Sequence, residues 1–326
     1  MAPSKFLIAL FCLLVLISCK TKRSDDSGEN REMAGQVSVN GNISISGAYA
    51  LSPLMKLWAE DFGKLHPDVT IEVKETGTGR GIKDLLDKNC LLAMISRPLT
   101  DSDRQAGIWA VPVAKDGVAV IINRQNPYLH RILQQGLSPD ELQKIFTYDT
   151  PGSWSDYLDT TGHDNISVYS RADESGAADL LAAFIYKHAA DLKGTRVNGD
   201  EAMIKSIGSN KLAIGFCNFS FAFDVYTGDQ AGNILPVPLD LDFNNKIDRR
   251  ERTISKLKEA HRSVWLGLYP AGLCRELTIG SSGKPADPAV KEFIRYILSE
   301  GQENVEKMGL CKLNNVYLRY SLESLK

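Results

Sequence analysis

The chain has 326 residues, 43% of them apolar, with 38 Lys and Arg against 40 Asp and Glu and a formal net charge of −2. A near-neutral balance without a basic stripe excludes nucleic acid as the partner. Beyond the N-terminus no apolar segment is long enough to span a bilayer, and the remaining length suffices for two domains of ordinary size.

Lys5 followed by the apolar stretch Phe6 to Ile17 reads as an export signal, too short for a comfortable membrane span. It ends in Leu16-Ile17-Ser18-Cys19, which resembles a bacterial lipobox. The resemblance implies removal of residues 1–18 and diacylation of the Cys19 sulfur; a plain soluble signal peptide is the alternative. The polar, charged stretch that follows, to about residue 40, reads as a flexible tether. The expected location is the cell envelope, lipid-anchored and facing the periplasm or the surface, with the lipid as the only contact with the membrane.

Strand-like and helix-like runs then alternate. Ile43 to Ser46 reads as a strand and Leu54 to Leu65 as a helix, with Leu54, Trp58 and Phe62 at four-residue spacing. Val69 to Val73 is a strand, Thr76 to Gly81 a glycine-rich turn, and Ile82 to Leu86 a helix. Gly77, Gly79 and Gly81 at alternate positions let successive N–H groups converge on an anion. Neither the dinucleotide fingerprint nor the Walker pattern fits the spacing, and a ligand-free flexible turn is the alternative. Leu91 to Ser96 and Val118 to Ile122 read as buried strands. The rhythm predicts an α/β fold with a mostly parallel sheet and helices on both faces. On such sheets ligands bind beyond the carboxyl ends of strands, where both glycine motifs and Ser96-Arg97 fall.

A second anion motif follows the strand-like Ile166 to Tyr169. In Arg171-Ala172-Asp173-Glu174-Ser175-Gly176-Ala177 an arginine fork, a hydroxyl and a glycine precede the helix-like run Leu180 to His188. A helix start offers unpaired N–H groups and the positive end of the dipole, and the fork adds a fixed charge. The set suits a small, multiply oxygenated anion. The alternative is a capped helix whose Arg171 pairs with Asp173. Further on, Phe219, Phe221 and Phe223 alternate as a strand face does.

In that order along the chain, several segments resemble one family: Gly47 to Leu54, Gly77 to Lys83, Ser96-Arg97, Lys115 to Asn123, Arg171-x-Asp173-x-Ser175-Gly176, Ile214-Gly215-Phe216, Gly267 to Pro270 and Leu298 to Gln302. The family is the phosphate-binding lipoproteins of bacterial ABC importers, with the type II periplasmic-binding-protein fold. It implies two lobes, each a mixed sheet flanked by helices, joined by two crossing strands and closing on an anion by hinge motion. Lobe I takes residues 41–123 and 265–326, and lobe II residues 124–264. The anion site falls on Ala50, Leu51, Thr78, Gly79, Ser96, Arg97, Arg171, Ser175, Gly176 and Ala177, with Arg171 as the main clamp. The family implies ABC permease subunits as partners; a monomer and no catalysis are expected.

The chain departs from the pattern. Arg97 stands where the phosphate-selective prototype has an aspartate that accepts the proton of hydrogen phosphate and repels sulfate. Ala48, Tyr49 and Ala50 replace hydroxyl residues of the first loop, and Ala177 replaces a threonine. Phosphate is the expected ligand, with sulfate, molybdate or an organic phosphate as alternatives. A phosphohydrolase or a surface adhesion module on the same fold is the rival reading; nothing in the sequence asks for an organic cofactor.

Asp240 to Glu251 fits a twelve-residue calcium loop. Asp240, Asp242, Asn244, Asp248 and Glu251 supply oxygens at positions 1, 3, 5, 9 and 12, and the Lys246 carbonyl serves position 7. Asn245 replaces the usual glycine and tolerates the left-handed turn. The segment before the loop is not helical, so this is an EF-hand-like loop outside a true EF-hand, and a structural calcium ion is the expectation. A solvated acidic turn is the alternative. Cys90, Cys217, Cys274 and Cys311 include no C-x-x-C pair. Export permits disulfides, but the spacing chooses neither among the pairings nor between them and buried thiols. His66, His130, His163, His188 and His261 form no compact ligand motif.

Overall fold

Apolar residues alternate along Gly41–Gly47 and form β1, whose inner face buries Ile43 and Ile45. The computed structural model describes residues 39–252 and 254–326; residues 1–18, Cys19 and all but the end of the tether lie outside them. After β1 come α1 (Ser52–Leu65), β2 (Val69–Glu75), α2 (Thr78–Leu86), β3 (Leu92–Ile95), α3 (Asp101–Gln105) and β4 (Ile108–Asn123). Next follow α4 (Leu129–Gln135), α5 (Pro139–Thr147), β5 (Ser167–Arg171), α6 (Gly176–Phe184), β6 (Thr195–Val197), α7 (Gly199–Ser209), β7 (Ala213–Asn218), α8 (Phe219–Ala222) and β8 (Ile234–Pro236). The chain ends with α9 (Leu257–Trp265), β9 (Cys274–Ser282), α10 (Pro288–Leu298) and α11 (Asn315–Ser324).

In α1 the four-residue spacing puts Leu54, Trp58 and Phe62 on one fully buried stripe. Each such side chain contributes about 1.5–3 kcal/mol by leaving water. The Trp58 indole N–H donates to the Gly301 carbonyl at 2.7 Å, so its polar atom is satisfied inside the core.

The strands run β2-β1-β3-β9-β4-β7-β5-β6, with β8 on β4. The sheet is mixed rather than mostly parallel. β1 pairs in parallel with β2 and β3, and β5 with β6 and β7, but every pairing of β4 and β9 is antiparallel. A βαβ rhythm shows only the local crossovers; the antiparallel partner β9 arrives from far along the chain.

β4 belongs to both lobes. Its first part, Ile108 to Gly117, pairs with β9, and Val118 to Ile122 pairs with β7. The core changes at the same point. Val111, Val113 and Ala114 pack with β1, α1 and α10, whereas Val118 to Ile122 pack with α5, α6 and β7. On the return path Leu273 belongs to the second core and Leu277 to the first. The two cores therefore change over near Gly117 and Cys274, inside the crossing strands.

Three further local readings are revised. The glycine turn is shorter than expected, because α2 already begins at Thr78 and includes Gly79 and Gly81. α6 starts at Gly176, not Leu180, because Ser175 caps it. The alternating phenylalanines form a helical turn, in which Phe219 and Phe223 share the buried face at i,i+4 spacing. All four described cysteines are free thiols. Burial pushes Cys90 up to about 11 and Cys274 up to about 12, so these are packing residues rather than nucleophiles.

Candidate anion-binding site

Two glycines set the first wall. A Cβ on Gly81 would lie 2.5 Å from the Gly47 Cα and 2.8 Å from the Ser46 carbonyl oxygen. The first turn of α2 therefore rests directly on the end of β1, an approach only glycine permits. That seating carries Thr78 to the end of β3, where its hydroxyl lies 3.0 Å from the Ser96 hydroxyl and accepts the Ser96 N–H at 3.1 Å. The N–H groups of Thr76 and Gly77 do not point at a ligand; both donate to the Gly47 carbonyl, at 3.0 and 2.9 Å. The donors left to this wall are those of the first turn of α2, from Thr78 and Gly79 onward. Ala50 and Leu51 form a single 3-10 turn that runs into α1.

Arg97 turns away. Its Nη1 donates to Asp103 Oδ2 at 2.6 Å and to the Pro98 carbonyl at 2.9 Å. Asp103 belongs to the capping box of α3, so Arg97 serves that helix start.

The opposite wall is the start of α6. The Ser175 hydroxyl accepts the Ala178 N–H at 3.4 Å, leaving the N–H groups of Gly176 and Ala177 without a partner inside the helix. The walls meet. A Cβ on Gly176 would fall 3.0 Å from the Ser96 hydroxyl oxygen, and one on Gly77 would fall 3.7 Å from Tyr49 and 3.8 Å from a Glu174 carboxylate oxygen.

Arg171 lies behind this wall. Its Nε and Nη2 donate to Asp173 at 2.9 and 2.7 Å, and its Nη1 to Asp200 at 2.9 Å. Burial alone would raise Asp173, but the Arg171 fork and the Gly199 N–H outweigh it and hold the carboxyl below its ordinary range. Asp200 in turn accepts the backbone and side-chain N–H groups of Asn218, at 3.0 and 3.1 Å. The Asn218 side-chain oxygen Oδ1 accepts Arg275 Nη2 at 2.8 Å, and the same nitrogen donates to Asp116 at 3.0 Å. Asp116 and Arg275 face each other across the β4–β9 ladder. A continuous relay thus joins both lobes and both crossing strands. Burial pushes Asp116 up against the pull of Arg275, as expected where two guanidinium groups stand among three carboxylates.

The relay leaves one group incomplete. The Arg275 side chain is 2% exposed, yet its Nε and Nη1 have no hydrogen-bond partner. Nη1 lies 2.2 Å from where a Gly176 Cβ would sit, so this nitrogen stands at the start of α6, which Ser96 also approaches. A buried arginine with bare nitrogens at a helix N-terminus is arranged for an anion. Residues 33–300 match the model of the PBP superfamily domain.

The chain belongs to the PBP superfamily.

Two similar proteins are each named phosphate-binding protein PstS. That of Staphylococcus haemolyticus is 22% identical over 88% of this chain and 86% of its own length. That of Pseudomonas aeruginosa is 24% identical over 84% of each. Among solved structures, a candidate phosphate ABC transporter substrate-binding protein from Clostridium perfringens, with bound phosphate, superposes with a TM-score of 0.65. It is 26% identical and covers 84% of this chain and 100% of its own. An ABC-type phosphate transport receptor from Vibrio cholerae superposes at 0.64, with 21% identity over 83% of this chain and 100% of its own.

Of the expected site residues in this PBP chain, Thr78, Ser96, Ser175, Gly176 and Ala177 lie at the meeting of the walls. Gly79 follows in the first turn of α2, and Ala50 and Leu51 in the turn before α1. Arg97 faces α3, and Arg171 faces Asp173 and Asp200. Sequence reasoning missed Asp116, Asp200, Asn218 and Arg275. One signal for Arg275 was present: it shares period-two spacing with Leu277 and Ile279, and all three are buried. An arginine on the core face of a strand demands a partner.

The acidic loop lies on lobe II. Asp240, Asp242 and Glu251 bring carboxylate oxygens within 4.8 Å of one another. Asn245 takes the left-handed conformation at φ 55°, and Phe243 does so at φ 61°. Leu241 and Phe243 face solvent. Glu251 folds back over the loop, accepting the Leu241 N–H at 2.7 Å. The Asn244 amide donates to Asp242, and Asp248 accepts the Arg250 N–H at 2.6 Å. Burial raises Asp242, helped by the charges of Glu251 and Asp240.

Proposed function

We propose that the chain is a solute-binding protein that captures phosphate, or a similar tetrahedral oxyanion, between its lobes and delivers it to the permease subunits of an ABC importer. The observation that carries this is the meeting of the α6 start at Ser175-Gly176-Ala177 with Ser96 and Thr78. It occurs in a fold shared with proteins named for phosphate binding. Helix starts and hydroxyls of both lobes reach one anion only when the lobes are together, so ligand capture and closure are one event. The role is binding, without turnover, by a monomer.

Cys19 carries the lipid anchor after the signal is removed, and the tether lets the lobes reach the permease from the membrane surface. No helix among the described residues is long and apolar enough to cross a membrane. The loop Asp240 to Glu251 holds a structural calcium ion, through Asp240, Asp242, Asn244, the Lys246 carbonyl, Asp248 and Glu251; the convergence of three carboxylates supports it.

Calorimetry on the full-length chain, freed of bound anion, tests the transport reading. Saturable heat with phosphate is expected. No heat with phosphate, sulfate or molybdate at about millimolar concentration would sink it.

A further inference from the structure

We infer that Arg275, on the second crossing strand, is a charged group that grips the oxyanion, and that Arg171 helps to position it through Asp200 and Asn218. The inference rests on the oxyanion-binding reading above and assigns the work within that site.

An arginine offers five N–H bonds. Both on Arg275 Nη2 have acceptors, Asp116 and Asn218. The bond on Nε and the two on Nη1 have none, on a side chain 2% exposed. Leaving a buried cation half satisfied is costly, so a fold that holds it rigidly in that state has a further partner for it. The position of Nη1 identifies the partner's chemistry. It lies against Gly176, where a Cβ would come within 2.2 Å, at the start of a nine-residue helix and beside the Ser96 hydroxyl. The N–H and O–H donors of both walls meet there, with the Glu174 and Asp179 carboxylates close by, and the complement of such a donor cluster is a compact multi-oxygen anion.

Arg171 is the contrasting case. Each of its three nitrogens already donates to a carboxylate of lobe II, which takes up three of its five N–H bonds. It contributes a fixed Asp200, which orients Asn218, whose side-chain Oδ1 holds Arg275 Nη2. Asp116 fixes the same nitrogen from β4. Arg275 is therefore clamped by Asp116 on the other crossing strand and by Asn218 at the end of β7 in lobe II, with Nη1 beside the start of α6. An anion bound there ties the hinge to the two walls at once, which gives a physical link between occupancy and closure.

The test is titration of the full-length chain with inorganic phosphate and sulfate, beside Arg275→Lys, Arg275→Gln and Arg171→Lys. Arg275→Lys keeps a cation for Asp116 but loses the open fork. It should keep a cooperative melt and weaken phosphate about tenfold or more, as loss of a charge-assisted contact does. Arg171→Lys should lower the melting temperature more and the affinity less. Wild-type affinity in folded Arg275→Lys or Arg275→Gln would overturn the inference while leaving the transport reading intact. Failure of the wild type to bind either anion would overturn both. A third measurement does not depend on how variants fold: in 15N-labelled wild type, the Arg275 Nε–H resonance should move on adding phosphate. An unmoved resonance at saturation would assign the grip to another residue.

Discussion

Gly176 and Arg275 are so close that residue 176 has no room for a side chain: a Cβ there would stand 2.2 Å from Arg275 Nη1. The contact is steric, since the backbone at Gly176 is ordinary helix, and Arg275 cannot swing aside without leaving Asp116 and Asn218.

Gly176→Ala should therefore cost binding more than stability. Displacing Arg275 by even a fraction of an ångström breaks charge-assisted contacts, so phosphate affinity should fall about tenfold or more. Calorimetry beside a thermal melt checks it; unchanged affinity would mean that Arg275 relaxes freely.

Arg171→Ala should chiefly destabilise. It leaves Asp200 and Asp173 facing each other without their cation, a loss of about 3–5 kcal/mol where one partner of a buried pair is removed. Denaturant unfolding measures it. A loss below about 1 kcal/mol would show that the relay around Asp200 is not tightly held.

Ser175→Ala removes the cap of α6. The hydrogen bond is long, 3.4 Å, so the cost should sit at the low end of the capping range, about 0.5–1 kcal/mol. The same change removes a hydroxyl from the anion wall, and a larger effect on affinity than on the melt would separate the two roles.

Chelation of calcium should lower the melting temperature. An ion that binds only the folded chain stabilises by about 2.7 kcal/mol at a free concentration a hundredfold above its dissociation constant. Asp240→Ala with Glu251→Ala should abolish the response. A wild-type melt indifferent to chelator would make the loop a solvated turn.

Stability should fall in two acid windows. Burial lowers His261 below 6.5, despite the pull of the Gly309 carbonyl and Glu306. The unfolded chain therefore takes up that proton first, and the contribution present above about 6.5 is lost as pH falls toward the folded value. Asp173 and Asp103 are held below 3.8, burial being outweighed by their arginines. Their contribution is present above about 3.8 and lost as pH falls through the folded values. Melts from neutral pH to about pH 3 should show both steps, and His261→Gln should flatten the first.

Much of this protein was legible without coordinates because its elements are local. The stripe Leu54, Trp58 and Phe62 fixes α1, and an aliphatic run fixes the second part of β4. Asn245, a residue that tolerates positive φ, takes the left-handed turn of the acidic loop. A hydroxyl and glycine before a helix announced the start of α6, which in the structure meets Ser96, itself beside Thr78.

Other features were set by contacts that no local pattern encodes. Arg171 pairs with Asp173, the alternative the sequence offered, and also with Asp200 on α7, almost thirty residues later, which no local pattern announced. Arg97 was claimed by Asp103 in the neighbouring capping box. Arg275 became a site residue only because the β4–β9 register sets it opposite Asp116 and lobe II brings Asn218 and Gly176 to it. Local propensity and periodicity determined the elements, and the order of motifs along the chain carried the resemblance to the family. The arginine left with open donors was decided by long-range strand pairing and by competition among buried carboxylates, energies that exist only once the chain has closed on itself.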